Sequence, residues 1–260
     1  MAYKEEVIDV RGSKIQLLSD GRGEPLLYLH SAGGEVAWLP FFEMLSRDFK
    51  VYLPAHPGFA KSQGLDKIDT IHDLVFHYTD LMDTLGLKTA YVAGLSLGGW
   101  IAAELAVHHP ERIRKLALMG AVGLYWKDAP RMPDIFAASG PQTREIVFFD
   151  PNSELARMVI PDNPNAEQLE LALKAREATA RVGWNPYLYD PRLLERLYRI
   201  TMPTLLVWGD SDRLVSIEYA KAYQKGIKGS RLMTIEKCGH APPIERPEPA
   251  AKAVAEFFKS

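Results

Sequence analysis

The run Pro25-Leu26-Leu27-Tyr28-Leu29-His30 is apolar at successive positions, whereas a strand with one wet face would alternate. Such a run belongs inside a sheet covered on both sides, the arrangement of parallel sheets with helices on their two faces. Further strands are predicted at residues 49–53, 89–93, 115–119, 203–208 and 231–235. Helical spacing appears between them. Thr70 opens a helix with Asp73 three residues on, a capping-box-like start, and Ile71, Leu74, Val75, Tyr78, Leu81, Met82 and Leu85 keep one apolar face. Residues 98–108, 217–225 and 247–258 are predicted as further helices. Alternating strands and helices build βαβ units with right-handed crossovers. Ahead of them, residues 5–10 and 14–18 flank Gly12 as a β-hairpin.

The rhythm breaks after Gly120. Pro130, Pro133, Pro141, Pro151, Pro161 and Pro164 punctuate a stretch rich in aromatic residues, with a helix predicted over 166–182 and Asp190-Pro191 placed as the N-cap and first residue of another. The pattern divides the chain into a core of residues 1–120 and 200–260 and a mainly helical cap insertion of residues 121–199.

Gly94-Leu95-Ser96-Leu97-Gly98 fits G-x-S-x-G, and its context fits as well: an apolar strand enters and a helix leaves. On that sharp turn the serine hydroxyl projects from the sheet, while the helix start offers unpaired N–H groups to a developing oxyanion. A serine hydroxyl is a weak nucleophile at neutral pH and needs a base, which in turn needs an orienting acid. Both follow at the carboxyl ends of later strands. Gly209-Asp210-Ser211-Asp212-Arg213-Leu214-Val215 comes after one, and Cys238-Gly239-His240 after the next.

With Leu29-His30-Ser31-Ala32-Gly33-Gly34, Pro54-Ala55-His56-Pro57-Gly58, the segments 94–99 and 208–215, and Gly239-His240 with Glu245-Arg246-Pro247-Glu248, the chain resembles the α/β-hydrolase superfamily with an inserted cap. The resemblance implies an α/β-hydrolase fold, with a mostly parallel central sheet flanked by helices, and a triad of Ser96, Asp212 and His240, with Asp210 as the other candidate acid. It also implies an oxyanion hole from the main-chain N–H groups of Leu97 and Ala32. Ser31 stands where the family usually has Gly, which leaves Ala32 or Gly33 as the second donor. Ala60 likewise replaces a frequent Gly.

The chemistry so implied is acyl transfer, and the leading expectation is a carboxylic-ester hydrolase for small to medium chains, its substrate a small-molecule ester and water. Carbon–carbon bond hydrolases of the dienoate or β-diketone type keep the same triad; they commonly carry Asn before the serine and Trp after the histidine, where this chain has Leu95 and Ala241. A non-catalytic ligand receptor is a third possibility, since fold does not fix function. Gly33, Trp126, Phe136, Trp184 and Tyr187 are candidate pocket residues. Arg176 and Arg181 are read as a solvated helix face.

No cofactor is expected, because neither a P-loop nor G-x-G-x-x-G follows any strand. No metal is expected either: His72 and His77 form no HExxH pattern, and the single cysteine, Cys238, excludes a Cys-based zinc cluster or an intramolecular disulfide. His30 and His56 are read as structural, His108 and His109 as a helix stop, and Glu245 as a structural partner of the histidine loop. Cys238, two residues from His240, suggests sensitivity to thiol reagents. With 31 Lys+Arg against 33 Asp+Glu the net charge is −2, which excludes the concentrated positive charge of a nucleic-acid or polybasic membrane binder. The longest apolar stretch, residues 91–107, is interrupted by Ser96, Gly98, Gly99 and Glu104 and makes a poor membrane span. Residues 1–9 have no apolar leader core, so a cytoplasmic location is expected.

Overall fold

The computed structural model describes residues 3–260. The hairpin predicted at the start is present as β1 (Lys4–Val10) and β2 (Ser13–Asp20). After it come β3 (Glu24–Leu29), α1 (Pro40–Leu45), β4 (Phe49–Pro54), α2 (Ile71–Thr84), β5 (Ala90–Leu95), α3 (Leu97–His108) and β6 (Ile113–Met119). Four helices without a strand follow: α4 (Gly140–Val147), α5 (Glu154–Val159), α6 (Ala166–Gly183) and α7 (Leu193–Arg196). The chain then returns to the sheet with β7 (Thr204–Gly209), α8 (Ile217–Gly226), β8 (Arg231–Ile235), α9 (Pro242–Glu245) and α10 (Pro247–Lys259).

The eight strands form one sheet in the order β1-β2-β4-β3-β5-β6-β7-β8. Only the β1–β2 and β2–β4 pairs are antiparallel. The alternation of side chains along each strand sorts the core into two layers. Leu27, Leu29, Val92, Leu116, Leu118, Leu206 and Trp208 point to a layer shared with α2, α3 and α8. Their neighbours Leu26, Tyr28, Tyr91, Ala93, Ala117, Met119, Leu205 and Val207 point the other way, onto Phe41 and Phe42 of α1 and Val254 and Phe258 of α10. Both faces are therefore covered, which is why these strands read as unbroken apolar runs.

The Thr70 capping box forms as the sequence predicts. Asp73 N–H donates to Thr70 Oγ1 at 3.3 Å, and Thr70 N–H donates to Asp73 Oδ2 at 2.8 Å. α3 is buried from Leu97 to Val107, the signature of a helix enclosed on all sides. α6 contributes Ala175, Ala178 and Val182 to the same core layer, so the insert is packed onto the α/β body. One boundary differs from expectation: α7 starts at Leu193, not at Pro191. The Asp190 carboxylate accepts from the Arg192 N–H at 2.5 Å and its carbonyl from Leu193, so Asp190 closes a turn ahead of the helix instead of capping it. Among the described residues no helix is long and apolar enough to cross a membrane.

Candidate active site

Ser96 sits between the last residue of β5 and the first of α3, with φ 55° and ψ −113°. A positive φ is strained for a residue with a side chain, and here the surroundings enforce it. Ser96 N–H donates to the Met119 carbonyl at 2.9 Å, and its own carbonyl receives Trp100 N–H at 3.0 Å. The flanking glycines are steric requirements. A Cβ on Gly94 would lie 2.2 Å from the Gly98 carbonyl oxygen, and one on Gly98 would lie 2.0 Å from that of Leu29. The hydroxyl is thus carried to the carboxyl edge of the sheet, with the first amides of α3 beside it.

His240 lies in the loop after β8. Its Nδ1 is 2.8 Å from Asp212 Oδ2, and the side chains are 5% and 1% exposed. Asp212 Oδ1 accepts the N–H groups of Leu214 at 2.9 Å and Val215 at 2.8 Å, which fixes the carboxylate. With Nδ1–H donating to Asp212, a neutral ring keeps its lone pair on Nε2, which is buried and has no hydrogen-bond partner. Burial works to lower the imidazole pKa, but Asp212, with Glu35 and Glu245 further off, raises it above the ordinary value. Gly120 (φ 48°) gives the ring its berth, since a Cβ there would stand 3.1 Å from the imidazole.

The two candidate acids separate cleanly. Asp210 accepts from Ser211 Oγ at 2.8 Å and from the N–H groups of Lys237 and Cys238 at 3.1 and 3.3 Å, tying the β7 and β8 loops together. Asp212 alone of the two is bonded to the histidine.

The loop after β3 shows what Ser31 does in place of a glycine. Its hydroxyl lies 2.8 and 2.7 Å from the two Glu35 oxygens, to one of which it donates, and it accepts Gly33 N–H at 3.0 Å. That bond occupies the Gly33 amide and leaves the Ala32 amide as the candidate to act with Leu97. The Glu35 carboxylate, which the sequence reading did not single out, stands beside this loop. α6 approaches it from above, with Ala175 Cβ 3.4 Å from where a Gly34 Cβ would be.

Beneath the loop, His30 and His56 are structural, as expected. His30 Nδ1 donates to the Ser31 carbonyl (2.7 Å) and its Nε2 accepts His56 N–H (2.9 Å). His56 Nε2 donates to the His30 carbonyl (2.8 Å), and Nδ1 pairs with the Tyr78 hydroxyl. All four ring nitrogens are committed in neutral form, and burial lowers the pKa of His30 to about 4 and that of His56 well below the usual value.

The insert is fastened next to the histidine. His240 N–H donates to the Val147 carbonyl at 2.7 Å, and Phe149 N–H donates to Glu245 at 2.7 Å. Glu245 also accepts Gly239 N–H at 2.9 Å, which is the structural role expected of it. Arg213 adds bonds to the carbonyls of Glu145, Phe148 and Phe149, an interaction nothing local in the sequence signals.

The candidate pocket aromatics pack mainly on one another. Phe136 rests on Trp184 and Tyr187 at 5.2 and 5.9 Å, while the Tyr187 hydroxyl holds Pro133 and Ile135; Trp126 lies on Tyr219 at 4.9 Å. Phe136 and Tyr187 are half-buried and Trp184 is 62% exposed, so the three form a cluster at the surface of the insert. Arg176 and Arg181 are exposed, the solvated helix face expected, and there Arg176 bonds the Ala138 carbonyl and Arg181 reaches Asp69 across the surface. Cys238 runs against an expectation: it is fully buried, and burial pushes its thiol pKa up, both of which argue against the sensitivity to thiol reagents read from the sequence. Two surface hollows, of about 180 and 260 Å³, lie away from Ser96, one lined by Arg11, Asp73 and Asp80 and the other by Asp134, Gln142 and Glu145.

A serine on a sharp strand-to-helix turn, a histidine bound to a carboxylate, and an eight-stranded mostly parallel sheet are features of one class of hydrolases. Residues 24–247 match the family described as alpha/beta hydrolase fold, and the chain belongs to that family. It is 27% identical to a 2-hydroxy-6-oxo-6-phenylhexa-2,4-dienoate hydrolase of Comamonas testosteroni, over 92% of this chain and 89% of that protein. It is 28% identical to a 2-hydroxymuconate semialdehyde hydrolase of Pseudomonas sp. (strain CF600), over 95% and 91%. Among solved structures, the 2-hydroxy-6-oxo-6-phenylhexa-2,4-dienoate hydrolase of Rhodococcus sp. strain RHA1 superposes with a TM-score of 0.80 at 23% identity, covering 100% of this chain and 99% of that one.

Proposed function

We propose that this hydrolase cleaves a carbon–carbon bond next to a ketone, in substrates of the dienoate or β-diketone type, with Ser96 as nucleophile, His240 as base and Asp212 as the acid that orients it. The observation that carries the catalytic assignment is the His240–Asp212 pair at 2.8 Å with an unspent, buried Nε2. The names of the relatives, matched along nearly the whole chain, support the substrate class. They favour it over the ester hydrolysis expected first.

In this reading His240 Nε2 takes the Ser96 proton as the oxygen attacks the carbonyl. The N–H groups of Leu97 and Ala32 receive the oxyanion. Collapse forms the acyl-serine and breaks the carbon–carbon bond. The electron pair leaves on a carbon conjugated with a second carbonyl, and the His240 proton neutralises it. A water activated by the same ring then frees the acid and restores Ser96. Residues 121–199 act as the cap, and its anchorage through Val147 and Arg213 keeps its inner edge fixed beside His240.

Ester hydrolysis is the second reading, and particular residues favour it. Leu95 and Ala241 are apolar, and Glu35 puts a carboxylate beside the oxyanion loop, where an anionic substrate would be repelled. The test gives wild type and Ser96→Ala both 2-hydroxy-6-oxo-6-phenylhexa-2,4-dienoate and p-nitrophenyl esters from acetate to octanoate. Ser96-dependent turnover of the dienoate, with kcat/KM about 100-fold or more above the best ester, is expected. The reverse ratio selects the esterase, and turnover that survives Ser96→Ala overturns both.

A further inference from the structure

Ser96 caps the start of α3; toward its other end the same helix carries a second cluster that the reaction does not use. Glu104 is 0% exposed. Its Oε1 accepts the Trp100 indole N–H at 3.1 Å, which orients the carboxylate, and its buried Oε2 has no hydrogen-bond donor. Two imidazoles face that oxygen. His108 Nε2, four residues on, is 3.8 Å away, and His72 Nε2, from the first turn of α2, is 3.9 Å away. Asp190, where the insert returns toward the core, brings Oδ2 within 3.5 Å of His72 Nε2. The ligand atoms of His72, Glu104 and His108 all lie within 4.8 Å of one another.

A carboxylate in this position is costly without a cation. The Arg196 guanidinium lies 3.5 Å from Asp190 Oδ2. What remains is a buried oxygen flanked by two imidazole nitrogens.

The geometry points to a divalent-metal site of the zinc type, held by His72, Glu104 and His108, with Asp190, 3.5 Å from His72 Nε2, swinging in as the fourth ligand. Four ligands about 2.0–2.1 Å from a tetrahedral ion stand about 3.3 Å apart. The His72–Glu104, His108–Glu104 and His72–Asp190 separations of 3.9, 3.8 and 3.5 Å lie within a few tenths of an ångström per group of that value, and the three-residue set as a whole, within 4.8 Å, closes on an ion by side-chain rotation. Two nitrogens and two carboxylates suit zinc or cobalt; calcium and magnesium prefer six or more oxygens. The His72 and His108 side chains are 37% and 39% exposed, which gives the ion a way in. Glu104 follows Ser96 by eight residues, a rise of about 12 Å along the helix, so the ion takes no part in acyl transfer. It would join α2, α3 and the returning insert in one brace. No sequence motif announces this site, because its ligands come from three separate elements.

The test uses the full chain, stripped with chelator and titrated with Zn²⁺ by calorimetry and with Co²⁺ by visible absorption. One equivalent is expected, with the intense visible band of four-coordinate cobalt and a Tm that rises with Zn²⁺. His72→Ala and His108→Ala should each weaken binding by about 100-fold or more, since loss of groups that merely support ligands already costs 10–100-fold. Both residues are half-exposed, and an unchanged metal-free Tm checks that the variants fold. His109→Ala, beside the cluster, should bind as wild type. Absence of stoichiometric binding, or binding that survives both His72→Ala and His108→Ala, overturns the assignment.

Discussion

Replacing Asp212 with Asn changes the proposed triad by one atom and should disable it through the histidine tautomer. The Leu214 and Val215 N–H groups, 2.9 and 2.8 Å from Oδ1, are fixed donors, so the Asn carbonyl must face them. Its NH₂ group then takes the place of Oδ2, 2.8 Å from His240 Nδ1. An amide N–H can only donate, so Nδ1 must accept and the ring proton moves to Nε2. In that tautomer the histidine has no lone pair to offer Ser96. The analogous exchange in a serine protease costs about 10⁴-fold in kcat, which at 1.36 kcal/mol per decade is about 5 kcal/mol. Asp210→Asn, which meets the backbone of Lys237 and Cys238 and leaves His240 alone, should stay within about threefold of wild type on the same scale. The assay is the rate of Ser96 modification by a fluorophosphonate, followed by intact mass, because it reads serine activation without a chosen substrate. The reasoning fails if Asp212→Asn keeps more than about a tenth of the wild-type rate, or if Asp210→Asn loses as much.

Two further expectations concern stability. Gly98→Ala places a methyl group 2.0 Å from the Leu29 carbonyl oxygen and should cost about 3 kcal/mol or more in urea unfolding, as β3 and α3 are forced apart. Gly86→Ala, at φ 68° but with nothing within 4 Å, should cost only about 1 kcal/mol; equal costs would refute the steric account of the elbow. Acid should also destabilise the fold through His30 and His56. Their folded pKa values lie below the unfolded value near 6.5, so their contribution is complete above about pH 6.5 and is lost as pH falls toward 4, by up to about 1.4 kcal/mol per pH unit for each. Urea midpoints that stay level from pH 6.5 to 4 would show that the pair is not held neutral.

The parts of this molecule legible in its sequence are those whose cause is local. Strands with both faces covered appear as apolar runs, the Thr70 helix announces its own cap, and the elbow is written in five consecutive residues. Short elements were missed where the cause lies elsewhere. α1 and α9 each begin with a proline, Pro40 and Pro242, but too few residues follow to show a period, and their burial against the sheet is what makes them helices. Asp210 and Asp212 leave the same strand, and only the path of the Lys237–Cys238 backbone separates them. Cys238 lies near His240 in sequence yet is turned into the core. The insert's aromatics and the Arg213 clasp depend on contacts between distant segments, which no single window of sequence contains.

The pairing of Leu116–Met119 in β6 with Thr204–Val207 in β7 spans the whole insert. On a ribosome that adds about 5–20 residues per second, the roughly 80 intervening residues take about 4–16 s to emerge. For that interval a nascent chain shows a naked apolar edge at β6, a template for pairing with the wrong neighbour. Ser96 has already been made by then, but Asp212 and His240 have not. Synthesis therefore delivers an inert intermediate with an open strand edge first, and the β6–β7 pairing that closes that edge waits for the insert to emerge.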